Sequence, residues 1–408
     1  MKLLHKIKEK GLYGCFNFVK IKLIHVVNYF MLKYYAGLPV DENSIVLESE
    51  GDCCDNSYAL FDHMQSNGYL KKYKVTWLVD HPENYEDEEN LKYVQKNICG
   101  HISPDTIKAL RTCRWYIYDH CDIMTEMMGR KNDNCTIIYL GHGLRNKKSN
   151  SVVRISADYI ITTGVMTKIA HQILDNFDEN KILTLGYPRL DYLNMSTVQE
   201  KYANKKLFGY ENYKKIFLWM PTFRQSVNSN LSLDYEECET GISCVPKWDD
   251  FDLLNRLFRI NNDVLILKVH HLQKRLKLFN ENYSNIKFLS DDDIKQRGLQ
   301  LYQFIPITDA LITDYSSIFA DYLLMDKPMI FTLNDLKKYE NYRGLWPENY
   351  IDYLTGYHTY SMKELIDSIK DISEGKDIYS SERKAMITQF HSHVEGGASQ
   401  RILEYFNL

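Results

Sequence analysis

Residues 305–331, IPITDALITDYSSIFADYLLMDKPMIF, decide the fold. The apolar run Ala310 to Ile312 predicts a buried strand, Thr313 to Ser316 a hydroxyl-rich turn, and from Ser317 onward Ile318, Tyr322 and Met325 recur on one face of a helix. Lys327 and Pro328 stop that helix before a second strand, Met329 to Phe331. A helix entered this way presents unpaired backbone N–H groups and the positive end of its dipole at the carboxyl edge of a sheet, where open α/β folds hold ligands. Ser316 and Ser317 add hydroxyl donors there. The plainer alternative makes Ser317 a simple cap and Asp321 a complement to the dipole. Asp321, however, lies one position beyond the spacing of a capping-box acid. A carboxylate beside a bound phosphate would repel it, so a functional Asp321 is expected to reach sugar hydroxyls. The expected ligand is therefore a nucleotide diphosphate.

A chain of 408 residues exceeds one ordinary core, and two domains of near-equal size are expected. The formal charge of −4 excludes general nucleic-acid binding, which needs a broad excess of Lys and Arg. The nine cysteines are scattered without CxxC or Cys/His spacing, so neither a zinc site nor a disulfide framework is expected, and a reduced, cytosolic setting fits. No small-residue cleavage site follows the lysine-rich start, and Leu23 to Leu32 is interrupted by His25 and Asn28, too short to cross a bilayer. Lys2 to Tyr35 combines seven lysines with Phe16, Phe18, Tyr29 and Phe30. That mixture suits a basic amphipathic helical leader on an anionic membrane surface; helices packed on the first domain with their lysines in water are the alternative.

Beyond the leader, strand and helix alternate. Strands are predicted at Ser44 to Glu48, Lys74 to Val79, Trp115 to Ile117, Thr136 to Leu140, Tyr159 to Thr162 and Ile182 to Leu185, with a helix over Tyr58 to Asn67 and a solvated acidic loop from Glu83 to Glu89. GYPRLD, Gly186 to Asp191, carries the turn chemistry of a domain end, and the polar, lysine-rich Gln199 to Tyr213 is expected to link to the second domain. There, strands are predicted at Ile216 to Met220, Val264 to Val269 and Ile286 to Leu289 ahead of the crossover, with a long polar loop over Ser226 to Trp248. Helices over Met362 to Ile372 and Glu382 to Phe390 follow.

Four motifs each follow a predicted strand, where α/β sheets display reactive groups. One is the crossover itself. GHGLRNKK presents His142 between Gly141 and Gly143 and ahead of Arg145, Lys147 and Lys148, which suits a general base beside an anionic substrate. LILKVHH places Lys268 and His270 on one face of a strand end, suited to phosphate, with His271 next to them. PTFRQ offers Thr222 and Arg224, whose guanidinium can grip a pyrophosphate. Asp291 to Asp293 reads as a solvated helix start and not as a metal site, because consecutive carboxylates do not converge on one ion.

These motifs, with SIVLESEGDCCDN from Ser44, GYPRLDYL, YENYRGL at Tyr339 to Leu345 and VEGGASQRI at Val394 to Ile402, occur in an order that resembles the CDP-glycerol glycerophosphotransferases, the teichoic-acid primases and polymerases. The resemblance implies a GT-B architecture of two Rossmann-like domains facing across a cleft: a leader at 1–40, an acceptor domain at 41–198 and a donor domain at 199–408. It implies His142 as catalytic base and His270 as a second catalytic histidine. Thr222, Arg224, Lys268, Ser316, Ser317 and Asp321 would bind the donor, and Arg145, Lys147 and Lys148 the acceptor. Two positions depart from the family pattern: Leu144 stands where Thr is usual after His-Gly, and His271 where Pro or Tyr is common.

The implied reaction moves a polyol phosphate, glycerol phosphate first among them, from a CDP-polyol to a hydroxyl of a lipid-linked teichoic-acid or capsular acceptor, with CMP leaving. No cofactor or protein metal site is expected, and a magnesium ion on the donor is left open. The enzyme is expected in the cytoplasm, peripheral on the inner face of the cell membrane. A GT-B glycosyltransferase using a nucleotide sugar shares these features, and fold alone does not separate the two. A membrane-surface scaffold with a decayed site is the third reading.

Overall fold

The computed structural model describes residues 23, 26–27, 29–31, 33–35, 37–98, 101–120, 134–148, 155, 157–222, 238–268 and 283–408. Two parallel sheets organise them. The first uses β1 (Asp41–Glu48), β2 (Lys74–Val79), β3 (Leu91–Gln95), β6 (Cys113–Tyr118), β7 (Thr136–Tyr139), β8 (Tyr159–Thr162) and β9 (Ile182–Thr184), in the order β3-β2-β1-β6-β7-β8-β9. A small antiparallel pair, β4 (Asn97–Ile98) and β5 (His101–Ile102), stands apart. The second sheet uses β10 (Ile216–Trp219), β11 (Val264–Leu267), β12 (Ile286–Phe288), β13 (Ala310–Thr313), β14 (Met329–Thr332) and β15 (Tyr357–Thr359), in the order β12-β11-β10-β13-β14-β15.

Packing contacts gather the chain into two compact units, 1–142 with 154–161, and 143–153 with 162–408. The division interleaves at the glycine loop and does not fall at one link near residue 198. In the second unit, residues just after β8 are bound into the C-terminal segment: Ser392 N donates to Thr163 O at 2.8 Å. A Cβ on Gly164 would stand 2.4 Å from Phe390 O, so these two backbones meet with no room for a side chain.

The apolar strands form because both faces of each sheet are covered, which turns the alternating pattern of a half-buried strand into continuous hydrophobic runs. All four residues of β10, β11, β13 and β14 are buried. Phe217, Trp219, Leu265, Leu267 and Ile312 meet Phe251, Leu254 and Phe258 of the helix Asp249–Asn261 and Leu365, Ile369 and Ile372 of the helix Met362–Ser373. Each such side chain contributes about 1.5–3 kcal/mol by leaving water. In the first unit Ile45, Val46, Leu47, Trp77, Ile117 and Ile138 have no exposed surface.

Local signals set several boundaries. Ser103 accepts from Thr106 N at 3.0 Å and Pro104 opens the helix Pro104–Thr112. The lysine-rich stretch expected as a linker is instead the helix Val198–Leu207, started by a capping box between Thr197 and Glu200. The TDYSS turn is likewise changed in detail: the crossover helix runs Ile318–Tyr322, continues as a 3₁₀ turn over Leu323–Met325, and ends at Asp326 in the left-handed region. The acidic stretch before β3 contains the short 3₁₀ turn Pro82–Asn84.

Of the expected leader, Leu23, Val26, Tyr29, Phe30 and Tyr34 are exposed, and residues 1–22, 24–25, 28, 32 and 36 lie outside the described residues. Among the described residues no helix is long and apolar enough to cross a membrane.

One acid is buried at the carboxyl end of β6. Asp119 has no exposed surface; its Oδ2 accepts from Ser57 N at 2.9 Å and its Oδ1 has no hydrogen-bond partner. Burial, reinforced by the charge of Asp55, pushes its carboxyl up to about 8.

Two stability tests follow from these packing relations. Gly164→Ala should cost about 1–3 kcal/mol by forcing the Phe390 backbone away, read as a lower urea midpoint without loss of the folded spectrum. For Asp119 the folded carboxyl holds its proton far more tightly than the unfolded one, so its contribution is complete below pH 3.8 and is lost as pH rises through about 8. Asp119→Asn keeps an acceptor for Ser57 and removes the titration. Unfolding free energies at pH 5 and pH 8 should show the variant gaining on wild type by more than about 1 kcal/mol over that interval, and a constant difference would refute the buried proton.

Candidate functional site

In the first unit the sheet itself assembles the reactive groups. Strands β1, β6 and β7 are neighbours and parallel, with Glu48 opposite Tyr118 and Tyr118 opposite Tyr139. Residues two or three positions beyond that row, Glu50, His120 and His142, emerge at one carboxyl edge. The loop carrying His142 bends sharply: Gly141 has φ +77, and its carbonyl accepts from the buried Asn56 Nδ2 at 2.9 Å.

His142 stays accessible, with 40% of its side chain exposed. Its Nδ1 lies 3.0 Å from Asp55 Oδ2 and its Nε2 3.7 Å from Glu50 Oε2. His120 Nε2 lies 3.3 Å from Glu50 Oε1, and the two imidazoles meet edge to face with centroids 4.7 Å apart. Asp55 opens the helix Asp55–Ser66 at φ +56. A carboxylate at Nδ1 orients the ring, favours the tautomer with its lone pair on Nε2, and stabilises the imidazolium formed when Nε2 takes a proton. Ligand atoms of Glu50, His120 and His142 all lie within 4.8 Å of one another.

In the second unit the crossover turn is held from several sides. Arg189 of GYPRLD is buried and its Nη2 reaches Asp321 Oδ2 at 2.7 Å; Tyr302 OH donates to the same oxygen. The guanidinium also lies 4.5 Å from the Tyr302 ring centroid. A Cβ at Gly143, whose φ is +104, would stand 3.0 Å from Ser317 Oγ and 3.2 Å from Arg189 Nη2. Asp191 of the same motif accepts from Ala398 N at 2.8 Å and Ser399 N at 3.0 Å, capping the helix Ala398–Tyr405. GYPRLD is thus an internal junction, more than the turn its composition suggests.

Asp321 departs from the expectation of an open sugar-binding acid, because it is 2% exposed and its carboxylate is taken up by Arg189 and Tyr302. Ser317 does not cap the helix with its side chain; Ser316 Oγ accepts from Ile318 N at 3.5 Å. Thr222 donates through N and Oγ1 to the buried Asp314, at 3.0 and 2.9 Å, which ties the ends of β10 and β13 together. Lys268 is largely buried and pairs with Asp291 at 2.9 Å, at the start of the capped helix Asp291–Lys295. Arg145 Nε donates to Asp175 Oδ1 at 2.9 Å. Lys147 bridges Leu345, while Lys148 is exposed and its N donates to Gly344 O at 3.4 Å. Arg224, His270 and His271 lie outside the described residues.

A recess of about 580 Å³ opens beyond β14, lined among others by Asn334, Asp335, Lys337 and Lys338. Asp335 accepts from Tyr315 OH at 2.9 Å, which connects this recess to the crossover turn.

Glu50, Asp55, His120 and Arg189 were not singled out as functional by sequence reasoning. The available signal was positional: SEGDCCD and YDH both directly follow apolar strands, as GHG does.

Comparison with known proteins gives the family. The profile of the CDP-Glycerol:Poly(glycerophosphate) glycerophosphotransferase family matches residues 30–407. A teichoic acid glycerol-phosphate transferase of Staphylococcus aureus is 30% identical over 60% of this chain and 59% of its own length. A teichoic acid poly(glycerol phosphate) polymerase of Staphylococcus epidermidis is 25% identical over 89% of this chain and 50% of its own. The chain thus spans between half and three-fifths of these two relatives. A teichoic acid ribitol-phosphate primase of Bacillus spizizenii is 23% identical over 91% of this chain and 92% of its own length. Among solved structures, the Wall Teichoic Acid Polymerase TagF superposes with a TM-score of 0.72 at 23% identity, covering 96% of this chain and 97% of that one, a likeness of fold. A profile match over nearly the whole sequence, carried on two parallel α/β sheets, assigns this chain to the CDP-Glycerol:Poly(glycerophosphate) glycerophosphotransferase family.

Proposed function

We propose that the protein transfers glycerol phosphate from CDP-glycerol to a hydroxyl of a lipid-linked teichoic-acid or capsular acceptor, releasing CMP. The acceptor oxygen forms a bond to the outer phosphorus, the bond from that phosphorus to the bridging oxygen breaks, and CMP carries away the electron pair. His142 Nε2 accepts the hydroxyl proton. The observation that carries this reading is Asp55 at 3.0 Å behind the accessible His142 ring, an orienter paired with a base. Family membership supplies the donor class.

In this proposal Thr222, Lys268, Ser316 and Ser317 hold the donor diphosphate, joined by Arg224 and His270. Asp321 acts indirectly, by fixing Arg189 beside Ser317. The recess beyond β14 has room for the cytidine. Arg145, Lys147 and Lys148 serve an anionic acceptor, with Arg145 steadied by Asp175. Fixed cations offset charge developing on the leaving phosphate in the transition state. The enzyme works as a peripheral protein on the inner face of the membrane, where its acceptor is anchored.

The released nucleotide separates this reading from a nucleotide-sugar glycosyltransferase. With CDP-glycerol and a lipid-linked acceptor, CMP should form; a nucleoside diphosphate released from a sugar donor instead would overturn the assignment. His142→Ala should lower CMP formation by about 10²- to 10⁴-fold while CDP-glycerol binding, followed by calorimetry, stays within a few-fold of wild type. Asp55→Asn should lower kcat by about 10-fold or more with little change in donor KM. Full turnover in the His142 variant would remove it from the role of base.

A further inference from the structure

We propose that Glu50, His120 and His142 form a binding site for a transition-metal dication of the zinc class, and that an ion held there silences the enzyme by occupying His142 Nε2. The second half rests on the reading of His142 as the base; the first half does not.

The geometry is that of a three-ligand face. Four-coordinate zinc with bonds of about 2.0–2.1 Å to nitrogen and oxygen places neighbouring ligand atoms roughly 3.3 Å apart. His120 Nε2 stands 3.3 Å from Glu50 Oε1, His142 Nε2 stands 3.7 Å from Glu50 Oε2, and the three ligand atoms fit within 4.8 Å. Small side-chain rotations bring all three onto one ion and leave a fourth position to water.

The donors choose the metal. Two imidazoles and one carboxylate suit zinc, copper or nickel, whereas magnesium and calcium take oxygen shells. The nearby Cys54 thiol is pushed up to about 12 by burial, so it stays protonated and supplies no thiolate. Behind His142, Asp55 at Nδ1 completes a carboxylate–histidine arrangement, which fixes the tautomer and strengthens Nε2 as a donor. The site is open to an arriving ion, with Glu50 and His120 each 34% exposed and His142 40%. Its scaffold is rigid, since the ligands follow three adjacent parallel strands in register.

The functional consequence comes from one shared lone pair. Nε2 cannot coordinate a metal and accept a hydroxyl proton together. Zinc therefore competes with turnover, and chelation restores it.

The test uses the full chain, freed of metal with EDTA and desalted. Cobalt(II), a spectroscopic stand-in, should give visible d–d absorption at one equivalent, and zinc should displace it. His120→Gln and Glu50→Gln should each weaken zinc binding at least 10-fold in competition with a chromophoric chelator. Zinc should suppress CMP formation by wild type reversibly with EDTA, and His120→Gln should need at least 10-fold more zinc for the same suppression. Absence of stoichiometric binding, or equal binding by wild type and both variants, overturns the site. Binding that depends on His120 and Glu50 but leaves CMP formation untouched overturns the silencing, while turnover of His142→Ala decides separately whether His142 is the base.

Discussion

An ion pair sealed inside the second unit, Arg189 to Asp321, ties together the motifs that make the sequence recognisable. A buried guanidinium or carboxylate alone would cost several kcal/mol, so each is tolerable only with the other in place. Arg189 arrives on GYPRLD and Asp321 on the crossover helix, with Gly143 and Ser317 packed against the same contact. Asp191, two residues from Arg189, holds the backbone of VEGGASQRI. Three segments far apart in sequence thereby depend on one charge pairing. Tyr302 closes the remaining side, its hydroxyl on the carboxylate and its ring against the guanidinium. The hydroxyl-bearing turn owes its shape to this frame more than to its own short helix.

The fold was legible because both sheets are covered on two faces. Runs such as IFLW and VLIL carry their burial in plain hydrophobicity, and Lys74–Val79 and Tyr159–Thr162 are strands with the ends read from sequence. Polar elements were hidden by the same logic. Leu91–Gln95 reads LKYVQ, with little apolar content, yet it is held as a parallel edge strand against β2. Val198–Leu207 looked like a linker because its stability comes from a cap and not from an apolar stripe.

The site was legible in part, and for a different reason. Glycines around His142 and serines in the crossover announce unusual backbone, which sequence can display. Asp55 and His120 carry no such flag; their meaning comes from which strands are neighbours. Once β1, β6 and β7 lie side by side, residues 70 or more positions apart become contacts. Asp321 erred in the opposite direction: its place on the helix was read correctly, but its partner Arg189 sat in a motif already explained as a turn. Pairing of charges across long separations is what a single sequence conceals.

The hidden proton on Asp119 alters the electrical bookkeeping of the whole edge. A formal total of −4 counts that carboxylate as an anion, whereas the folded chain near neutrality carries it uncharged. The imidazole of His142 accordingly faces a weaker negative field than a tally of acids would suggest. In mildly alkaline solution that reserve drains, a second negative charge joins that of Asp55, and the attraction of the pocket for anything cationic grows.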